Sequence, residues 1–176
     1  MPLSFSTESA RRIEALIKQY PDAQAASMPV LHLAQDEFGF LSDEAIQLVA
    51  TALKLPVSHV YGVVTFYTMF RREPAGTNIL RVCTNVACML TGGYDVLKQV
   101  CERLGIQPGE KTPDGAFSIV EEECLAACAD APMALCGQRY FLRLDSKEKV
   151  DAMIEELRRQ PQLERTLLPG PVEKGA

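Results

Sequence analysis

A change of period at residues 73–77 constrains this chain more than any other feature. Before Glu73-Pro74-Ala75-Gly76-Thr77 the apolar residues recur at helical spacing; after it, short apolar runs alternate with helical stretches. Proline and glycine so close together interrupt either regular structure, so the segment reads as a boundary between a domain at 1–75 and another at 76–160.

In the first part, Ile13, Leu16, Ile17 and Tyr20 share a helical face after Thr7 and Glu8, and Pro21 ends the run. Ser27 is placed to cap a second helix, with Pro29 in its first turn and Gly39 beyond its end. Ser42 is placed to cap a third, whose Ala45, Ile46, Leu48, Val49, Ala52 and Leu53 form an apolar face. Pro56 opens a fourth through 57–66, against the weaker helix propensity of Val63, Val64 and Thr65. A small helical bundle is expected, and nothing in it resembles a catalytic site.

The second part reads as a strand at 79–83, a helix at 92–105, and a strand at 116–120 after the turn Pro113-Asp114-Gly115. Segments 132–136 and 139–144 flank Gly137-Gln138 as a hairpin, and Ser146 caps a last helix through Arg159. The order β-α-β, then β-β-α, is that of a thioredoxin-like α/β domain. The fold class is therefore α/β (α+β), a helical bundle followed by a thioredoxin-like domain. Residues 161–176, with Pro169, Gly170 and Pro171, are expected to form an extended tail.

A formal charge of −5 without a basic cluster argues against a nucleic-acid partner. The longest apolar runs, such as 60–66, are far too short to span a bilayer. Residues 1–9 lack the basic and apolar regions of a secretory signal. The expected location is the cytoplasm, peripheral to a membrane only through a complex. There, six cysteines point to metal binding or redox chemistry rather than to disulfides.

Placed on the thioredoxin-like scaffold, the cysteines divide. Cys83 ends the first strand and Cys88 lies in the loop after it; Cys124 and Cys128 lie in the loop after the second strand. These loops leave the same end of neighbouring strands, so four sulfurs can converge. Four thiolates in the pattern C-x4-C…C-x3-C suit an iron–sulfur cluster or zinc, and buried thiols remain the plain alternative. The wide spacing and a domain that already has a core lean toward a [2Fe–2S] cluster. The segment 84–91 leads to a helix N-terminus at Gly92-Gly93, whose amides would offset the negative charge of such a centre. Ala87, Ala126, Ala127 and Ala129 would let backbone amides come near sulfur. Neither pair has the C-x-x-C spacing of a dithiol oxidoreductase.

Cys101, on a helical face with Leu97, Val100 and Leu104, reads as a core residue, as does Cys136 at the end of the apolar run 133–135. His32 and His59 lie in the helical region, away from the loops. Glu121-Glu122-Glu123 reads as a solvated strand end, although negative charge beside a cluster also lowers its potential. No nucleophile with its base and no dinucleotide-binding glycine motif is present.

Several motifs in one order carry a resemblance: Val60-Tyr61-Gly62-Val63-Val64-Thr65-Phe66-Tyr67, Val82-Cys83-Thr84-Asn85 through Cys88, Gly109 with Thr112-Pro113-Asp114-Gly115, Glu123-Cys124-Leu125, Cys128, and Ala131-Pro132. In these the chain, up to about Leu144, resembles the thioredoxin-like [2Fe–2S] ferredoxin subunit of NADH-quinone oxidoreductase. That subunit belongs to the NADH-dehydrogenase module of respiratory complex I. The resemblance implies a [2Fe–2S] cluster on Cys83, Cys88, Cys124 and Cys128. It also implies a partner subunit that binds FMN and NADH, further peripheral-arm subunits, and one-electron transfer from reduced flavin. Hydride transfer would then occur on the partner, and this chain would not turn over NADH by itself. Similar subunits serve NAD-linked hydrogenases and formate dehydrogenases; a zinc-stabilised interaction module is the reading from another class. Where the family often has glycine after Cys124-Leu125, this chain has Ala126, which a positive φ would strain.

Overall fold

The computed structural model describes residues 3–162, whose contacts separate between Pro74 and Ala75 into two units. Serine side chains fix two helix starts in the first. The Ser6 hydroxyl accepts from the Ser9 amide at α1 (Thr7–Ile17), and the Ser42 hydroxyl from the Ala45 amide at α3 (Asp43–Leu53). Between them lies α2 (Ser27–Phe38), and after them α4 (Val57–Phe66), preceded by Pro56. Tyr20 lies past the end of α1 and is exposed, so it is no part of that helix's inner face. Leu31, Ile46, Val49 and Val60 are fully or almost fully buried in a core shared by the helices.

Ser27 is not the cap of α2. It is the first helical residue, buried, and Ala26 before it is already in helical conformation. The chain turns earlier, where the Asp22 carboxylate accepts from the Ala25 amide at 2.8 Å. An aspartate does upstream what the sequence assigned to the serine.

The second unit runs β1 (Asn78–Cys83), α5 (Val86–Leu90), α6 (Gly93–Leu104), β2 (Phe117–Glu122), β3 (Ala134–Cys136), β4 (Arg139–Phe141) and α7 (Lys147–Arg159). One sheet has the order β2-β1-β3-β4, with β1 and β2 parallel and the other neighbours antiparallel. The parallel pair requires a crossover, and α6 supplies it. Val96, Leu97, Val100 and Leu104 of α6 pack with Val150, Met153, Ile154 and Leu157 of α7 on Leu80, Val82, Phe117 and Ile119 of the sheet. Ser146 caps α7 by accepting from the Lys149 amide.

Two differences from the sequence reading bear on function. Part of the segment expected as a loop is the five-residue helix α5, capped by the Asn85 carboxamide. The second strand extends to Glu122 instead of ending at Val120, and Glu121 and Glu122 pair with Val82 and Cys83. Residues 163–176, most of the expected tail, lie outside the described residues. No helix among the described residues is long and apolar enough to cross a membrane.

Candidate metal centre

The register of the parallel pair decides what meets at its end. Cys83, the last residue of β1, lies opposite Glu122, the last residue of β2, so the two following segments leave the sheet side by side. Hydrogen bonds extend this alignment: the Thr84 amide donates to the Glu122 carbonyl at 3.0 Å, and the Thr84 hydroxyl to the Glu121 carboxylate at 2.8 Å. Arg81 forms an ion pair with Glu122. These partners explain how two glutamates, poor strand formers, hold the end of β2.

After β1 the chain folds back at once. The Asn85 side chain accepts from the Val86 amide at 2.6 Å and starts α5, which carries Cys88 on its inner side. Cys83 and Cys88 are both buried, in a small cluster with Met133 against which Leu125, Ala127 and Ala131 pack. Gly93 closes this cluster from α6. A Cβ on Gly93 would lie 2.8 Å from the Cys83 carbonyl oxygen and 2.9 Å from the Cys88 carbonyl carbon and oxygen. Such distances are inside van der Waals contact, so only glycine lets the first turn of α6 press on the backbone of both cysteines.

Cys124 and Cys128 are exposed in the segment after β2. The Cys83 thiol donates to the Glu123 carbonyl at 3.7 Å, tying the two segments together. Ala126 has φ +60°, the left-handed conformation that strains a residue with a Cβ. Cys128 begins a short 3-10 turn, Cys128–Asp130, in which the Asp130 amide donates to the Ala127 carbonyl. Arg143 holds this turn from outside, its Nε donating to the Asp130 carboxylate at 2.8 Å. The Ala131-Pro132 bond that follows is cis.

Burial pushes the Cys88 thiol up to about 11; its hydrogen bond with Cys83 and the charges of Cys83 and Cys128 act in the same direction, and a backbone hydrogen bond from Met133 opposes them. Cys83, Cys88 and Cys128 are thus near enough to feel one another. The four sulfurs are not drawn to one point, however, and among the described residues no three or more His, Cys, Asp or Glu side chains are gathered as a ligand set. Thiols have little cause to crowd together unaided, since they hydrogen-bond weakly and repel once ionised. Two buried sulfurs on one segment, two exposed on its neighbour and a glycine-tight backbone behind them fit a centre bound by four soft ligands.

The other candidates lie apart from this arrangement. Cys136 is fully buried in the core of the second unit, its thiol donating to Asn78 Oδ1 at 3.9 Å. Cys101 is half-buried against the same core, and burial foremost, with the charges of Glu110 and Glu121, raises its pKa. His32 packs on Phe70 with ring centroids 4.9 Å apart, and His59 lies in α4, both in the helical unit. The sequence reading missed the packing role of Gly93 and the part of Arg81 and Thr84 in fixing the end of β2. Asn85 was legible as a helix cap but stood before a helix too short to show periodicity.

The profile of the thioredoxin-like [2Fe–2S] ferredoxins matches residues 13–158. Over 158 residues, 88% of this chain and 94% of the relative, the chain is 41% identical to the E subunit of the NADH-quinone oxidoreductase of Rickettsia bellii. It is 43% identical to a counterpart in Rhizobium meliloti, the E2 subunit of an NADH-quinone oxidoreductase, over 83% of this chain and 86% of that one. Among solved structures, an NAD+-reducing [NiFe]-hydrogenase in its H2-reduced state aligns with a TM-score of 0.66 and 26% identity. That alignment covers 76% of this chain and 22% of the hydrogenase chain, so this chain spans about a fifth of that protein.

Proposed function

This chain belongs to the thioredoxin-like [2Fe–2S] ferredoxin family, and from that membership we propose that it is the electron-transfer subunit of an NADH:quinone oxidoreductase. The observation that carries the reading is the family match across 13–158, which includes both cysteine-bearing segments. Cys83, Cys88, Cys124 and Cys128 are the residues that would hold the cluster. When bound, a [2Fe–2S] cluster supplies one-electron redox chemistry, here accepting an electron from reduced FMN on a partner subunit.

The chain's own residues set the conditions for that transfer. The β1–β2 register brings the two ligand-bearing segments side by side, and Gly93 fixes the backbone of Cys83 and Cys88 against α6. Leu125, Ala127, Ala131 and Met133 keep water from the buried pair. Arg81 offsets the charge of Glu122, while Glu121 and Glu123 leave negative charge beside the sulfurs, which disfavours reduction. NADH and FMN are held by the partner, and hydride transfer takes place there. The subunit stays peripheral to the membrane and joins the other subunits of the peripheral arm.

The hydrogenase likeness supports a second reading, the equivalent subunit of an NAD-linked hydrogenase. The quinone-reductase relatives are more similar in sequence and match over most of their own length, which favours the first. Anaerobically purified full chain is expected to contain iron and acid-labile sulfide in equal amounts and to give a rhombic EPR signal on one-electron reduction. Stoichiometric zinc without sulfide, from an iron-replete host, would overturn the cluster. Recovery of the native assembly with hydrogenase subunits, and none of a quinone reductase, would select the second reading.

A further inference from the structure

Resting on the proposed electron-transfer role, we infer that the exposed face of α5 and the start of α6 form the docking surface for the flavin-bearing subunit. That subunit would meet it with an apolar patch rimmed by lysine or arginine. The first observation is an apolar crest. Val86 is 63% exposed, Met89 45%, Leu90 76% and Tyr94 54%, all within nine consecutive residues. Val86 and Leu90 are four apart on α5 and share a face, with Met89 beside them. Cys88 is buried on the opposite side of the same short helix, so the crest is the outer surface of a ligand-bearing segment. Solvent gives no reason to place four large apolar side chains together, whereas the core of an interface does.

The second observation is charge. Tyr94 lines a cleft of about 420 Å3 with Thr84, Asn85, Glu121 and Glu123, so the crest runs directly into the acidic end of β2. Asp95, also exposed, stands next to Tyr94. Within 82–96 and 121–132 the charged residues are Asp95, Glu121, Glu122, Glu123 and Asp130; Arg81 pairs with Glu122 and Arg143 with Asp130, so the acidic excess of the rim rests on Asp95, Glu121 and Glu123. An apolar core with a rim of one sign selects a partner of the other sign, and the rim charges act chiefly on encounter. This complementarity singles out a basic-rimmed surface, not a second copy of this chain, which would bring its own acidic rim against the first.

The test uses the cluster-loaded full chain and the flavin-bearing, NADH-oxidising subunit of the same assembly, with affinity measured directly. Leu90→Glu and, separately, Tyr94→Ala should each weaken association at least about tenfold, as removal of an interface anchor does. Iron and sulfide content of each isolated variant should match the parent, separating a docking defect from loss of the centre. Tyr140→Glu, at an exposed position on β4, should bind as the parent does. For the unmodified pair, raising the salt from roughly 50 to 500 mM should weaken binding several-fold. Parent-like binding by cluster-loaded Leu90→Glu and Tyr94→Ala would overturn the docking surface and leave the functional reading intact. Binding that strengthens with salt would overturn the basic rim. If the unmodified chain fails to bind any flavin subunit, the functional reading falls and takes this inference with it.

Discussion

Two helical glycines should respond with opposite sign to the same substitution. Gly62 lies in the interior of α4, exposed, and a Cβ there would meet nothing within 4 Å. Alanine should stabilise the helical unit by about 0.5–1 kcal/mol, the ordinary difference between the two residues inside a helix. Gly93 starts α6, where a Cβ would lie 2.8–2.9 Å from backbone atoms of Cys83 and Cys88. Backbone cannot rotate aside as a flexible side chain would, so the strand end, α5 or α6 must shift. Overpacking of this kind costs about 1–3 kcal/mol, and the helix-propensity gain at a first-turn position is too small to offset it. Because the glycines lie in different units, native-state hydrogen exchange is the suitable assay. Amides of α3 should gain protection in Gly62→Ala, and amides of β1 should lose it in Gly93→Ala. With about 4–8 °C per kcal/mol for a domain of this size, the corresponding melts should separate clearly. The displacement falls on Cys83 and Cys88, so Gly93→Ala should also lower iron incorporation. A Gly93→Ala protein as stable and as iron-loaded as the parent would refute the close approach that makes the site rigid.

Three further outcomes follow from the same structure. Ala126→Gly should relieve about 1–2 kcal/mol of left-handed strain and give back about 0.4–1 kcal/mol through the freer unfolded chain; the melting temperature should rise slightly, and a fall would refute the strain. Hydrogen bonds from Thr112 and the Ala116 amide lower the Asp114 pKa to about 2, so its contribution to the turn before β2 is present above the normal carboxylate pKa and lost as pH falls through about 2. Asp114→Asn should therefore lose part of that contribution near neutral pH and show a flatter acid limb between about pH 4 and 2, read from melting temperatures across that range. Cys101→Ser and Cys136→Ser should keep parent iron and sulfide levels while Cys124→Ser loses them; full loading of Cys124→Ser with an unchanged spectrum would refute its place in the ligand set.

Much of the architecture was written in the apolar period. The stripe on α3 and the Ser42 and Ser146 caps were readable because periodicity and capping are local properties. The extension of β2 was not. Its last residues, Glu121 and Glu122, hold as strand because the side chains of Thr84 and Arg81, some forty residues earlier, bind their carboxylates. Ser27 misled for the converse reason: it has the right chemistry for a cap, but Asp22 upstream had already started the turn. At the site, although Cys88 lies in α5 and not in the expected loop, the division of four cysteines between two segments was visible in the spacing. Which of them would be buried was not, because that depends on α5, a helix of five residues whose single turn leaves no repeat to detect. The close approach at Gly93 is a meeting of three backbone segments, which no local pattern announces.

The parallel pairing of β1 with β2 also fixes when this protein can become competent. Its two cysteine pairs are encoded some forty residues apart, so a nascent chain that has emerged only through α6 carries Cys83 and Cys88 without Cys124 and Cys128, half of the proposed ligand set. A slip of a single residue along the ladder would turn Cys83 toward the other side of the sheet, because side chains alternate. Iron loading should therefore act as a proofreader of strand alignment: chains that pair out of step are left unable to mature.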